Sequence, residues 1–198
     1  MIGCSYVPLR EEFISIKHHG NESIQNILIT TGGSDTYNSA GQIIEAIRSN
    51  YRLDFLGLHI VIGPLNQNKD KLEELAKQFR NIYLHYNVSN MSALMQDNDI
   101  AISAGGSTLY ELCACGIPAI SFSYADNQRM GTQEFHNQGC IYYAGDIRDN
   151  AIQCMDNMIA RIQELCEDYH LRNELSFKLQ GLVDGNGAER IANVLLTI

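Results

Sequence analysis

The sequence predicts an α/β protein built on a parallel, doubly wound sheet. Two observations carry the prediction. From Gln25 onward, short apolar runs bounded by turn residues alternate with amphipathic stretches, and each stretch is long enough to carry a helical crossover between parallel strands. The first run, Asn26 to Thr31 (NILITT), reads as a strand broken by Gly32-Gly33-Ser34, ahead of a helix with apolar positions at Ile43, Ile44 and Ile47. Leu58 to Ile62 is the second strand, ending at Gly63-Pro64. A helix from about Lys69 to Phe79 then places Leu72, Leu75 and Phe79 on one face. Asn81 to His85 follows as the third strand, and Ser89 is the expected cap of a short helix through Met95. Asp99 to Ser103, Pro118 to Phe122 and a short run near Cys140 to Tyr143 complete about six strands of a Rossmann-like sheet. The tail from Asn150 is helical, with Ile152, Met155, Ile159, Ile162 and Cys166 spaced for one buried face and Ile191 and Leu195 further on; Asp184 to Gly187 separates the last two helices.

The opening residues differ. Gly3 to Phe13 follows neither period and Lys17-His18-His19-Gly20-Asn21 is polar, so residues 1–22 read as a linker or incoming segment and 23–198 as the domain. At 198 residues the chain suits one domain with a full core. A formal charge of −9 provides no general field for nucleic acid or an acidic membrane, so any bound phosphate has to be held locally. None of the six cysteines forms a C-x-x-C pair and the histidines show no metal-ligand helix motif; they read as reduced core thiols and no metal or cofactor is expected. The apolar runs are far shorter than a bilayer span and the start lacks a signal-peptide pattern, so a cytoplasmic location is expected.

In an open parallel sheet, ligands bind beyond the carboxyl ends of the strands, where helix N-termini aim free amides at one crevice. Three loops fit that position: Thr31-Gly32-Gly33-Ser34-Asp35, Ala104-Gly105-Gly106-Ser107-Thr108, and Tyr124-Ala125-Asp126-Asn127-Gln128. Glycines let the backbone approach an anion closely, although Gly-Gly-Ser is also ordinary turn and cap chemistry. Neither glycine loop is G-x-G-x-x-G, and no P-loop lysine follows, which removes the specific support for dinucleotide or ATP readings. Glu111 falls one turn into the helix opened by Ser107. A carboxylate there can accept from a vicinal diol such as a ribose, or serve the helix end as a cap or dipole partner. His85 and His136 are the candidates for proton transfer, against a structural role; Tyr83, Tyr86, Tyr142 and Tyr143 read as strand packing.

The runs Asn87 to Met95, Asp99 to Glu111, Gly116-Ile-Pro118 and Ala125-Asp-Asn-Gln128 together resemble the UDP-sugar hydrolases of the pseudaminic acid pathway and related spore-coat polysaccharide proteins. More distantly, they are similar to the donor-binding half of the peptidoglycan GlcNAc transferase. Gly3 to Phe13 looks like the segment joining the two halves of those hydrolases, and Asp184 to Ile191 like the start of their last helix. The resemblance implies a GT-B-type C-terminal half that binds a UDP-sugar. It carries Gly32, Gly33, Ser34, Gly106, Ser107 and Thr108 onto the diphosphate and Glu111 onto the ribose. It carries the backbone around Tyr86, Asn87 and Val88 onto the uracil, and Asn127 and Gln128 onto the sugar or distal phosphate. The family's catalytic histidine belongs to a glycine-histidine motif in an N-terminal domain, and no part of this sequence matches that motif. The expectation is therefore half of a two-domain enzyme, with that domain as its partner and no hydrolysis by these residues alone. A glycosyltransferase and a non-catalytic nucleotide-binding module are the competing readings.

Overall fold

The computed structural model describes residues 3–16 and 20–197; the His18-His19 pair noted above lies outside the described residues. Six parallel strands form one sheet in the order β3-β2-β1-β4-β5-β6. They are β1 (Asn26–Thr30), β2 (Gly57–Ile62), β3 (Ile82–Tyr86), β4 (Ile100–Ala104), β5 (Ala119–Ser123) and β6 (Tyr142–Asp146). Crossovers are made by α1 (Ser39–Arg48), α2 (Lys69–Gln78), α3 (Met91–Gln96), α4 (Thr108–Cys115) and α5 (Asp126–Asn137). Three helices follow: α6 (Ala151–Glu167), α7 (Tyr169–Leu182) and α8 (Gly187–Leu196). The order reverses between β1 and β4, the position beyond whose strand ends open α/β sheets bind their ligands.

Both faces of the sheet are covered. Ile27, Ile29, Ile60, Ile100 and Ile102 pack beneath Ile43, Ile44 and Ile47 of α1 and Met158, Ile162 and Leu165 of α6. Leu28 and Ala101 face the opposite way, onto Leu109, Leu112, Cys113 and Leu179. This two-sided burial leaves every residue of β4 and β5 buried, their serines included.

Several sequence expectations move. Strands two to five agree to within one or two residues, whereas the sixth lies later, at Tyr142–Asp146. The cap of α3 is Asn90, whose Oδ1 accepts from Ala93 N at 2.9 Å, rather than Ser89. On α6 the buried stripe is Cys154, Met158, Ile162 and Leu165, while Ile152 is 77% exposed. Leu195 of α8 is exposed as well, because that helix packs mainly on the turn at Cys4–Tyr6 rather than on the sheet.

The incoming segment is packed against the domain. Phe13 is fully buried against the α4 side of the core. Gly187 and Gly185 let the chain cross closely, since a Cβ at either would meet the backbone carbonyl oxygen of Val7 or Phe13. Two polar anchors fix the approach to β1. Asp99 accepts from the amides of Gln25 at 2.7 Å and Asn26 at 2.8 Å and from Asn21 Nδ2 at 2.7 Å. Arg172, only 5% exposed, donates to the carbonyls of Leu165, Asn21 and Glu22.

Candidate functional site

The loops after β1, β4 and β5 converge at the reversal in strand order. Gly63, at the end of β2, lies so close to the first of them that a Cβ would sit 2.4 Å from the carbonyl oxygens of Gly32 and Gly33. Leu65 N donates to Gly33 O at 3.0 Å and closes that contact. Tyr124, from the loop after β5, reaches across, and a Cβ on Gly32 would meet its hydroxyl at 2.9 Å. Gly105 is equally constrained, because a Cβ there would lie 2.3 Å from Thr132 Oγ1 on α5.

The N-terminus of α4 is open. Ser107 is its N-cap residue, but the Ser107 side chain makes no capping bond. The first turn is tightened by Leu109 N donating to Gly106 O and Tyr110 N to Ser107 O. Among the described residues, the amides of Gly106, Ser107 and Thr108 donate to no protein oxygen. Gly106 and Ser107 are exposed, so these amides and the positive end of the helix dipole face solvent.

The loop after β1 corrects the sequence reading. The break at Gly32-Gly33-Ser34 does not lead straight into a helix N-terminus open to an anion: α1 begins only at Ser39. Asp35 occupies its end instead, accepting from Ser39 N at 2.7 Å and Ala40 N at 3.2 Å. Burial pushes the Asp35 carboxyl above the ordinary value, and the hydrogen bonds from Ser39 and Ala40 only partly oppose this. Ser34 Oγ lies 3.3 Å from Thr36 Oγ1, and Gly32 and Gly33 are exposed at the loop tip. The first amides of α1 are thereby taken by protein, and the loop tip offers only its own backbone groups.

Glu111 lies one turn inside α4 and does not cap it. Its Oε1 accepts from Arg10 Nη2 at 3.2 Å, while Arg10 Nη1 is 2.9 Å from Glu12 and the guanidinium lies over the Phe13 ring. Burial raises the Glu111 carboxyl, Arg10 draws it back down and Glu12 raises it again. Among the described residues, Oε2 takes no hydrogen bond. Arg10, absent from the sequence-derived site, is therefore its direct partner.

Tyr86 ends the edge strand β3, and Asn87 and Val88 follow it at the same end of the sheet. Asn87 adopts a left-handed φ of 49°, and α3, which comes next, packs on α4. The Tyr86 hydroxyl donates to Glu73 at 2.9 Å, and this bond and burial push the phenol up to about 12. Asn127 and Gln128 line a hollow of about 210 Å³ together with Gly106, Tyr110 and Thr132. Gln128 Oε1 already accepts from Tyr124 N at 2.9 Å.

Neither histidine candidate reaches the crevice as a free base. His85 Nε2 is 3.0 Å from His59 Nδ1, and burial lowers both imidazoles. His136 lies at the far end of α5, beside the carbonyl of Ile141. Among the described residues, no group of three His, Cys, Asp or Glu side chains could hold a metal ion. No helix among them is long and apolar enough to cross a membrane.

A parallel sheet reversing at β1/β4, with glycine loops at the reversal, is the architecture of the C-terminal half of GT-B-type glycosyltransferases. Residues 26–176 match the model of the glycosyltransferase family 28 C-terminal domain, and the chain belongs to that family. An uncharacterized protein of Methanocaldococcus jannaschii is 36% identical over 135 residues, covering 64% of this chain and 28% of that protein. The spore coat polysaccharide biosynthesis protein SpsG of Bacillus subtilis is 25% identical over 171 residues, covering 86% of this chain and 50% of SpsG. The UDP-2,4-diacetamido-2,4,6-trideoxy-beta-L-altropyranose hydrolase of Campylobacter jejuni is 27% identical over 126 residues, or 64% of this chain and 44% of the hydrolase. Among solved structures, MurG of Acinetobacter baumannii superimposes with a TM-score of 0.70 at 15% identity, covering 92% of this chain and 55% of MurG. The chain spans about half or less of the length of these curated relatives.

Proposed function

We propose that this chain is the UDP-sugar-binding half of a nucleotide-sugar hydrolase that releases UDP from an amino-deoxy sugar in surface polysaccharide or nonulosonic acid biosynthesis. The observation that carries the reading is the open N-terminus of α4 with Glu111 one turn deeper. The diphosphate rests on the amides of Gly106, Ser107 and Thr108, with Gly32, Gly33 and Ser34 approaching from the other side of the reversal. The dipole contributes about 0.3–1 kcal/mol, and the charge-assisted amide bonds more. Glu111 Oε2 accepts from the ribose hydroxyls, the loop at Tyr86, Asn87 and Val88 receives the uracil, and Asn127 and Gln128 reach the sugar. In the reaction, water attacks the anomeric carbon and the C–O bond to the phosphate breaks. The electron pair leaves on UDP, whose new charge the α4 amides stabilise.

The name of the Campylobacter jejuni hydrolase supports the hydrolase reading, and that of SpsG supports a place in surface polysaccharide biosynthesis. The family match supports the alternative, donor binding in a UDP-sugar-dependent glycosyltransferase, which uses the same nucleotide site with a different acceptor. In either case the base that activates water or acceptor belongs to a partner N-terminal domain, so these 198 residues alone bind UDP weakly and turn nothing over. Calorimetric titration with UDP, UMP and UDP-GlcNAc tests the reading. Heat with UDP exceeding that with UMP is expected, and no heat with any of the three would leave only a non-catalytic, structural role.

A further inference from the structure

The anion site proposed above has a buried anion beside it. Asp35 is 1% exposed, and its carboxylate covers the first two amides of α1, the groups a phosphate would otherwise use there. Its position is held from several sides. The residue keeps a left-handed φ of 44°, uncommon without glycine, while its carbonyl accepts from Asn38 N at 3.0 Å and Asn68 Nδ2 at 2.8 Å. The amides of Ser39 and Ala40 donate to the carboxylate, and among the described residues no cation pairs with it. Its negative charge therefore acts, weakly screened, on whatever occupies the adjoining loop at Gly32 to Ser34.

We propose that Asp35 sets the charge selectivity of this site, disfavouring a free nucleoside diphosphate relative to a nucleotide sugar. The inference rests on the diphosphate reading given under Proposed function. A pyrophosphate esterified at both ends carries one charge per phosphate. A free diphosphate also has a terminal phosphate whose second ionisation falls near ~6, so it carries a further charge at neutral pH. The same carboxylate repels the second ligand more than the first, and breaking the sugar bond converts the first into the second. Asp35 thus promotes departure of the product nucleotide while leaving the sugar-bearing ligand in place.

The test is calorimetry on the 198-residue chain at pH 8, with UDP and with UDP-GlcNAc as a stand-in nucleotide sugar, on the wild type and Asp35→Asn. Asparagine keeps one capping acceptor and tolerates a positive φ, so it removes the charge together with the bond from Ala40 N, a loss common to both ligands. Asp35→Asn is expected to tighten UDP roughly 3- to 10-fold and UDP-GlcNAc less than about 2-fold, with the difference shrinking in high salt. An equal gain for both ligands, no gain, or weaker UDP binding overturns the inference. Should Asp35→Asn melt early, Asp35→Ser, which is also neutral and able to cap, carries the same comparison. A wild-type chain that binds no UDP refutes the diphosphate reading itself. A wild type that binds UDP through Glu111, with both Asp35 variants silent, refutes only the role of Asp35.

Discussion

The helices α1 and α4 leave the two strands flanking the reversal of the sheet, and their N-termini are finished in opposite ways. At α1 a buried carboxylate accepts the first amides. At α4 the amides of Gly106, Ser107 and Thr108 donate to no protein oxygen among the described residues, and no side chain caps them. An uncapped helix end forgoes about 1 kcal/mol of stabilisation. On the reading proposed above, the open end at α4 gives up that stability for ligand, whereas the capped end holds the loop after β1 in place.

Four perturbations test the contrast between the two helix ends. The largest effect is expected at the open end, where Glu111→Ala lowers UDP affinity by about 10- to 100-fold in calorimetry, since bonds to a charged acceptor contribute about 1.5–3 kcal/mol. Unchanged affinity would remove Glu111 from the site. Gly106 has a φ of 150°, so Gly106→Ala imposes about 1–3 kcal/mol of strain and re-aims the open amides. Denaturant midpoints should fall and UDP binding weaken together. On the capped side, removing the bond from Asn68 Nδ2 to Asp35 O by Asn68→Ala costs about 1 kcal/mol. Thermal melts should register it, with little change in UDP affinity; a large change would show that the loop after β1 is the main anchor. The smallest effect concerns pH. Burial raises the Asp35 carboxyl, so the folded state binds this proton more tightly than the unfolded chain does. Wild-type stability relative to Asp35→Asn should therefore fall as pH rises from the ordinary carboxylate value through the raised one, and then level off. A difference that grows over that interval would contradict the assigned direction.

The contrast between the two ends was only half legible in the sequence. The first five strands declared themselves through their apolar runs, and their one-residue offsets come from turn residues that join or leave the ladder, whereas the sixth, Tyr142–Asp146, is only partly buried and lies later than its apolar run suggested. Gly105-Gly106-Ser107 was placed correctly because β4 runs straight into it. Thr31 to Asp35 was misjudged because Ser34 and Asp35 are both good caps. The helical period at Ile43, Ile44 and Ile47 extends back only to Ala40, and that gap was the available signal. On α6 two apolar stripes share Ile162, and the sheet beneath, rather than the helix, selects the one through Cys154 and Met158. Arg10 could not have been paired with Glu111 from sequence spacing, since 101 residues separate them.

Arg172 draws the physical limits of the folding unit. Its guanidinium is served by the carbonyls of Asn21 and Glu22, both upstream of the first strand. Trimming the chain to Gln25 would strip a nearly inaccessible cation of two of its acceptors and deprive Asp99 of the Asn21 amide. An expression boundary drawn where sequence similarity begins would thus yield a frayed protein, and a few residues of apparently irregular leader determine whether the α6/α7 hairpin stays closed.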